Sequence, residues 1–102
     1  SYFHNLNIYQ TLINNLQNLI EMYQVRSQLL ELSEENVNYA IKMNELSQKR
    51  FELGSINSVE LFNIQNSYQN TLIQYYENQF NRLDTYLEIY KMTGKLGLEY
   101  QK

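Results

Sequence analysis

The sequence has no cysteine, no proline and no tryptophan, only three glycines, and a single histidine at position 4. Without cysteine there are no disulfides, no thiol nucleophile and no cysteine-ligated metal, and either redox setting is tolerated. With His4 alone, a Ser-His-Asp arrangement and multi-histidine metal sites are excluded, as is the Glu-x-x-His pair on each of two helices that a di-iron bundle needs. Basic residues are sparse too: eight Lys and Arg against eleven Asp and Glu give a net charge of −3, with Lys49-Arg50 the one adjacent pair. Phosphate backbones require clustered Lys and Arg, so nucleic acid is not an expected partner. No run approaches the ~20 consecutive apolar residues of a membrane-spanning helix, and no signal-peptide pattern is visible. The start at Ser1 is the one expected of a processed or excised piece.

What is present is apolar and amide-rich. Hydrophobic residues make up 43% of 102 positions and include ten Tyr. Asn and Gln supply roughly a quarter of the chain, an excess over average globular usage. Solubility therefore rests on neutral amides more than on charge. The ten Tyr stand at helical spacing in an acidic chain, which suits packing with hydroxyls at the boundary rather than base stacking. The length allows one domain at most.

Nothing breaks the chain before Gly54, and apolar residues recur at three- and four-residue steps, the signature of helix. One row runs Leu6, Tyr9, Ile13, Leu16, Ile20, Tyr23, then Leu30, Val37, Ile41 and Phe51. A second runs Met22, Val25, Leu29, Leu32, Asn36, Tyr39, Met43, Leu46, Arg50, Leu53. Neighbouring positions lie ~100° apart around a helix, so the first helix offers apolar contact in two directions. A helix with one partner needs one row. This one is patterned to sit between neighbours.

Lys49 and Arg50 complement the C-terminal dipole, and Gly54 suits a left-handed C′ position. Asn57-Ser58-Val59-Glu60 then reads as a capping box. The second helix carries Leu61, Ile64, Tyr68, Leu72, Tyr76, Phe80, Leu83, Leu87 and Tyr90, with Tyr75, Tyr86 and Ile89 as a flanking face. Lys91 and Gly94 mark its expected end. The expected fold is all-α: a long antiparallel two-helix, coiled-coil-like hairpin with helices over about 3–53 and 58–93, a tip turn at 54–57 and a non-helical tail at 94–102. At 1.5 Å per residue such a rod is roughly 60–75 Å long. The rows not used inside the hairpin predict lateral association, either as a four-helix bundle made by dimerisation or as a larger ring.

Candidate chemistry is thin. Glu31, Glu34 and Glu35 form a solvated acidic face rather than an acid/base pair, which needs a cleft with distinct environments. Glu45 and Lys49 are spaced for an i, i+4 ion pair. Gly54-Ser55 lacks the pattern of a phosphate loop. Neither enzymatic activity nor a cofactor or metal is expected.

The stretch Arg50-Phe51-Glu52-Leu53-Gly54-Ser55-Ile56-Asn57-Ser58-Val59-Glu60-Leu61-Phe62 resembles the hairpin tip of TolC-like outer membrane efflux proteins. Those proteins place an aromatic residue three before a glycine, Ser or Thr at the third position after it, a carboxylate three further on, then two aliphatic residues. Phe51, Gly54, Asn57, Glu60, Leu61 and Phe62 fit, with Asn57 in place of the hydroxyl. Asn63-Ile64-Gln65-Asn66-Ser67-Tyr68 and "RLDTYLEIYKMTGKL" resemble the following helix and its close. The resemblance implies one hairpin, the C-terminal of two per protomer, in a trimeric duct with a twelve-helix periplasmic barrel at the periplasmic side of the outer membrane. It implies a tip that docks a periplasmic adaptor protein through Leu53, Gly54, Ser55, Ile56, Asn57 and Val59. Membrane contact would come only from other parts of such a protein. Glu60 and Asn63 would stand at the pore entrance, although Glu60 equally serves as a capping carboxylate. Asn63 replaces an acid and Ile56 a basic residue of some members, which departs from a charged gate. The competing expectation is a helical-hairpin interaction module, of the adaptor coiled-coil or spacer type, without a channel.

Overall fold

A computed structural model describes the backbone of residues 1–101 and the side chains of residues 1–97. Two α-helices account for nearly all of it: α1, Tyr2–Glu52, and α2, Ser58–Gln101, joined by a short turn into an all-α hairpin. The absence of proline leaves α1 with 51 uninterrupted residues. The chain divides into two compact units, Leu29–Gln79 at the turn and Ser1–Gln28 with Phe80–Lys102.

The turn is built by a Schellman motif. Gly54 adopts φ 77°, the Ser55 N–H donates to the Arg50 carbonyl at 2.8 Å, and the Gly54 N–H donates to Phe51 O at 3.0 Å. These bonds satisfy carbonyls that the helix end would leave unpaired. At the start of α2, Asn57 Oδ1 accepts from the Glu60 N–H at 2.8 Å, the N-cap bond that the pattern implied. Among the described residues the Glu60 carboxylate does not return the bond to the Asn57 N–H, so the capping box is half made. A Cβ at Gly54 would meet no atom within 4 Å. Gly54→Ala therefore pays only for the left-handed backbone, about 1–2 kcal/mol. The expected result is a melting temperature several degrees lower at unchanged helix content by circular dichroism.

In the unit Leu29–Gln79 the inner seam follows a strict three-four alternation on both helices: Leu30, Ser33, Val37, Ala40, Asn44 and Ser47 on α1, and Leu61, Ile64, Tyr68, Thr71, Tyr75 and Asn78 on α2 are its buried or half-buried positions. That period of 3.5 residues belongs to a left-handed supercoil. Half of the layers are small or polar. Ser47 is 2% exposed and Ser33 7%, whereas Leu30, at 6%, is the buried apolar residue. The hydroxyls are satisfied within their own helix: Ser33 Oγ donates to Leu29 O at 2.9 Å, Ser47 Oγ to Met43 O at 2.7 Å and Thr71 Oγ1 to Ser67 O at 2.9 Å. Such back-bonding leaves compact side chains that let two helices approach closely. Asn78 Nδ2 crosses to donate to Ser33 Oγ.

In the other unit, Leu12, Leu16, Leu19, Tyr23 and Arg26 continue the same phase on α1, and Arg82, Thr85, Ile89, Met92 and Leu96 do so on α2. Thr85 is 1% exposed. Its Oγ1 donates to Asn81 O at 2.9 Å and accepts from Arg26 Nη1, which also reaches Asn81 O at 3.0 Å. Tyr23 and Tyr86 stack at 6.5 Å between ring centroids.

Three expectations are corrected. The tail 94–102 is helical as far as Gln101, and residue 102 lies outside the described residues. Gly94 and Gly97 are ordinary helical glycines without positive φ. Each costs about 1 kcal/mol relative to Ala and ends nothing without a following turn signal. Glu45 and Lys49 do not pair: among the described residues the ion pair formed is Lys91–Glu88 at 3.5 Å. The third correction concerns α2. Its row from Leu61 to Tyr90 faces α1 only as far as Tyr68; Tyr76, Phe80, Leu83, Leu87 and Tyr90 are exposed. The steps 68, 72, 76, 80 are three consecutive fours, and each turns the row about 50° away from a 3.5-residue seam.

One buried polar group in the seam has no partner: Asn44 Oδ1. Asn44→Leu removes an orphaned acceptor and adds apolar contact, together worth about 1–2 kcal/mol. A rise of several degrees in thermal melting is the expected readout.

Candidate docking surfaces

The tip is the first surface. Leu53 is 82% exposed, Val59 64% and Phe62 61%. Gly54, Ser55 and Asn57 are also exposed, while Ile56 is half-buried. The Schellman turn and the N-cap hold this end rigidly, so its apolar side chains are displayed rather than collapsed. Phe62, one turn into α2, joins the displayed group although the docking set drawn from the sequence omitted it. Its place in the aliphatic pair of the tip pattern was the available signal. Glu60 and Asn63 are both exposed, and Glu60 is tied to the cap only through its backbone N–H.

The second surface is the outer row of α1. Leu29, Leu32, Asn36, Tyr39, Leu46, Arg50 and Leu53 are exposed and Met43 is half-buried, with Met22 and Val25 extending the row in the other unit. These positions also alternate by three and four, so the row is itself a coiled-coil seam without an occupant. It lies ~100° around the helix from the inner seam. The sequence predicted it in full.

The third surface is the outer row of α2: Val59, Phe62, Asn66, Gln69, Ile73 and Tyr76 in one unit, then Phe80, Leu83, Leu87 and Tyr90 in the other. All are exposed, Phe80 by 67%. The three-four alternation is again strict. This row lies about 150° from the inner seam of α2, by the angles of a seven-residue repeat. Between the seams each helix keeps a wholly polar strip: Glu31, Glu35, Asn38, Lys42, Glu45 and Lys49 on α1, and Glu60, Asn63, Ser67, Asn70, Gln74 and Glu77 on α2.

A groove of about 330 Å³ opens beside the seam in the unit Leu29–Gln79. Ser33, Ala40 and Thr71 line it because small side chains leave that space, and Asn36, Tyr39 and Met43 form its α1 side. Among the described residues, no group of three or more His, Cys, Asp or Glu side chains could hold a metal, and no helix is long and apolar enough to cross a membrane. The chain matches no protein-family model, no curated protein and no solved structure.

Proposed function

We propose that this chain is a wall hairpin of a helical duct of the TolC-like efflux or secretion type, with the tip docking a periplasmic adaptor protein. The observation that carries the reading is the pair of unoccupied heptad rows, one on each helix. Viewed down the hairpin, the row of α1 is bent ~100° from its contact with α2, and the row of α2 is bent the opposite way by only about 25° from straight. Helices added through these rows turn by a net of roughly 50° per hairpin, so about six to eight hairpins close a circle. A dimeric four-helix bundle would need both rows on one face. Three protomers with two hairpins each supply six. The sense of the turn puts the polar strip of α2 inside, with Glu60 and Asn63 at its tip end, and the polar strip of α1 outside. Both sides of such a wall are then hydrophilic, as a water-filled duct in an aqueous compartment requires.

The tip carries the docking role through Leu53, Gly54, Ser55, Ile56, Asn57 and Val59, joined by Phe62. Exposed apolar side chains on a rigid turn are suited to a partner's hydrophobic contact. The test is Ser55→Cys in the full-length, assembled channel, with a thiol-directed crosslinker. The expected capture is a periplasmic protein whose own helical hairpin is flanked by β-rich domains. Failure to capture it from an assembled channel would count against docking at the tip.

A further inference from the structure

We infer that copies of this hairpin associate side by side with their tips level, the outer row of α1 in one copy seating the outer row of α2 in the next. It rests on the wall reading only in needing a lateral neighbour. The argument is one of register. Inside the hairpin, Ser33 bonds Asn78 and Arg26 bonds Thr85, and in both pairs the two residue numbers add to the same total. When the outer rows are paired layer by layer from the tip, Leu53 meets Val59, Arg50 meets Phe62, Tyr39 meets Ile73, and so on to Val25 with Leu87 and Met22 with Tyr90. Every one of these pairs adds to a single total too, one more than the inner pairs. A common total means a common height along antiparallel helices, to within one residue or about 1.5 Å.

Two unoccupied rows on different helices therefore match end to end, in the axial alignment the hairpin already has. A row meant for an unrelated helix carries no such constraint.

Size and shape agree. The exposed aromatic and aliphatic side chains of the α2 row present on the order of 1,000 Å², against about 800 Å² per partner in a stable interface. The groove beside Ser33, Ala40 and Thr71 lies along the α1 row at Asn36 and Tyr39. At that height the second copy brings Tyr76 and Ile73, side chains large enough to fill the space the small seam residues leave. Near the tip the Arg50–Phe62 layer places a guanidinium against an aromatic ring. The pairing is heterologous, so each copy keeps one row free for a further copy.

The chain's lack of cysteine makes the test clean. Tyr39→Cys with Ile73→Cys places the two thiols on different outer rows, so that oxidation with diamide should join copies and yield a ladder of covalent dimers, trimers and higher species. Leu46→Cys with Asn66→Cys is a second level pair that spares the aromatic residues. The displaced pair Tyr39→Cys with Phe62→Cys should lose the ladder, and each single variant should give no covalent dimer. Dimers from single variants would show α1-on-α1 or α2-on-α2 pairing and overturn the inference. A ladder as strong from the displaced pair, or none from either level pair, would overturn it as well. Adaptor capture at Ser55 is read separately: a ladder without capture keeps the pairing and removes the efflux role, and capture without a ladder does the reverse.

Discussion

Phe80→Asp is expected to leave the chain monomeric. Phe80 stands 67% exposed in the middle of the outer row of α2, where a neighbouring helix would cover it. The substitution forfeits the burial of an aromatic side chain, about 2–3 kcal/mol. It also asks a carboxylate to enter an apolar contact, a further cost of several kcal/mol unless the group stays in water. Together these weaken association by at least 1,000-fold, since each 1.4 kcal/mol is tenfold. Asn38→Asp, which adds the same charge on the polar strip of α1, should change association by less than about twofold. Sedimentation equilibrium of the two variants separates them. Equal association would place the neighbour somewhere other than this row.

The second large effect comes from making the inner seam more apolar, and its sign is negative. A leucine at a heptad core position ordinarily strengthens a coiled coil. Ser33, however, accepts from Asn78 and donates to Leu29 O, in a layer that only small side chains occupy. Ser33→Leu strands the Asn78 amide, at about 1–3 kcal/mol, and forces the helices apart, at a further 1–3 kcal/mol. A loss of roughly 3 kcal/mol lowers the melting temperature by more than 10 °C in a domain of this size. Ser33→Ala, which removes the hydroxyl and adds no volume, should cost only about 1 kcal/mol. If leucine stabilises instead, the close approach has been misread and the seam tolerates ordinary core residues.

These two sites mark what was legible in the sequence and what was not. The hairpin, the Gly54 turn and the Asn57 cap were readable because each rests on local chemistry: a left-handed glycine, a side-chain acceptor, an uninterrupted helical pattern. The outer row of α1 was readable because its hydrophobic residues keep strict alternation. On α2 the apolar residues themselves led astray. Their average spacing of 3.6 suits a straight helix, and following them from Tyr68 through Leu72 and Tyr76 to Phe80 leads off the inner seam onto the outer one. The inner positions they abandon, Thr71, Asn78 and Thr85, do not register as core in any search for apolar periodicity. Nor does Arg26, whose guanidinium spans from α1 to Thr85 and Asn81. Small and polar layers become visible only when a 3.5-residue period is imposed on both helices at once. The helical tail was missed because Gly94 and Gly97 were given the weight of a stop signal, which glycine has only with a positive φ or a turn behind it. At the tip, exposure of Leu53, Val59 and Phe62 could not be read from residue type alone, since apolar residues beside a turn are as often folded under it.

The central claim is that each helix was shaped for a neighbour on two sides, and the unaltered chain tests it most directly through the concentration dependence of its thermal melting. If the outer rows seat other copies, association and folding are linked, and the melting temperature rises steadily as the chain is concentrated from the low micromolar range. The inner seam alone buries so little apolar surface that the dilute chain should melt early and broadly. A sharp, cooperative melt at one temperature across that range, from a species that sediments as a monomer, would contradict the account.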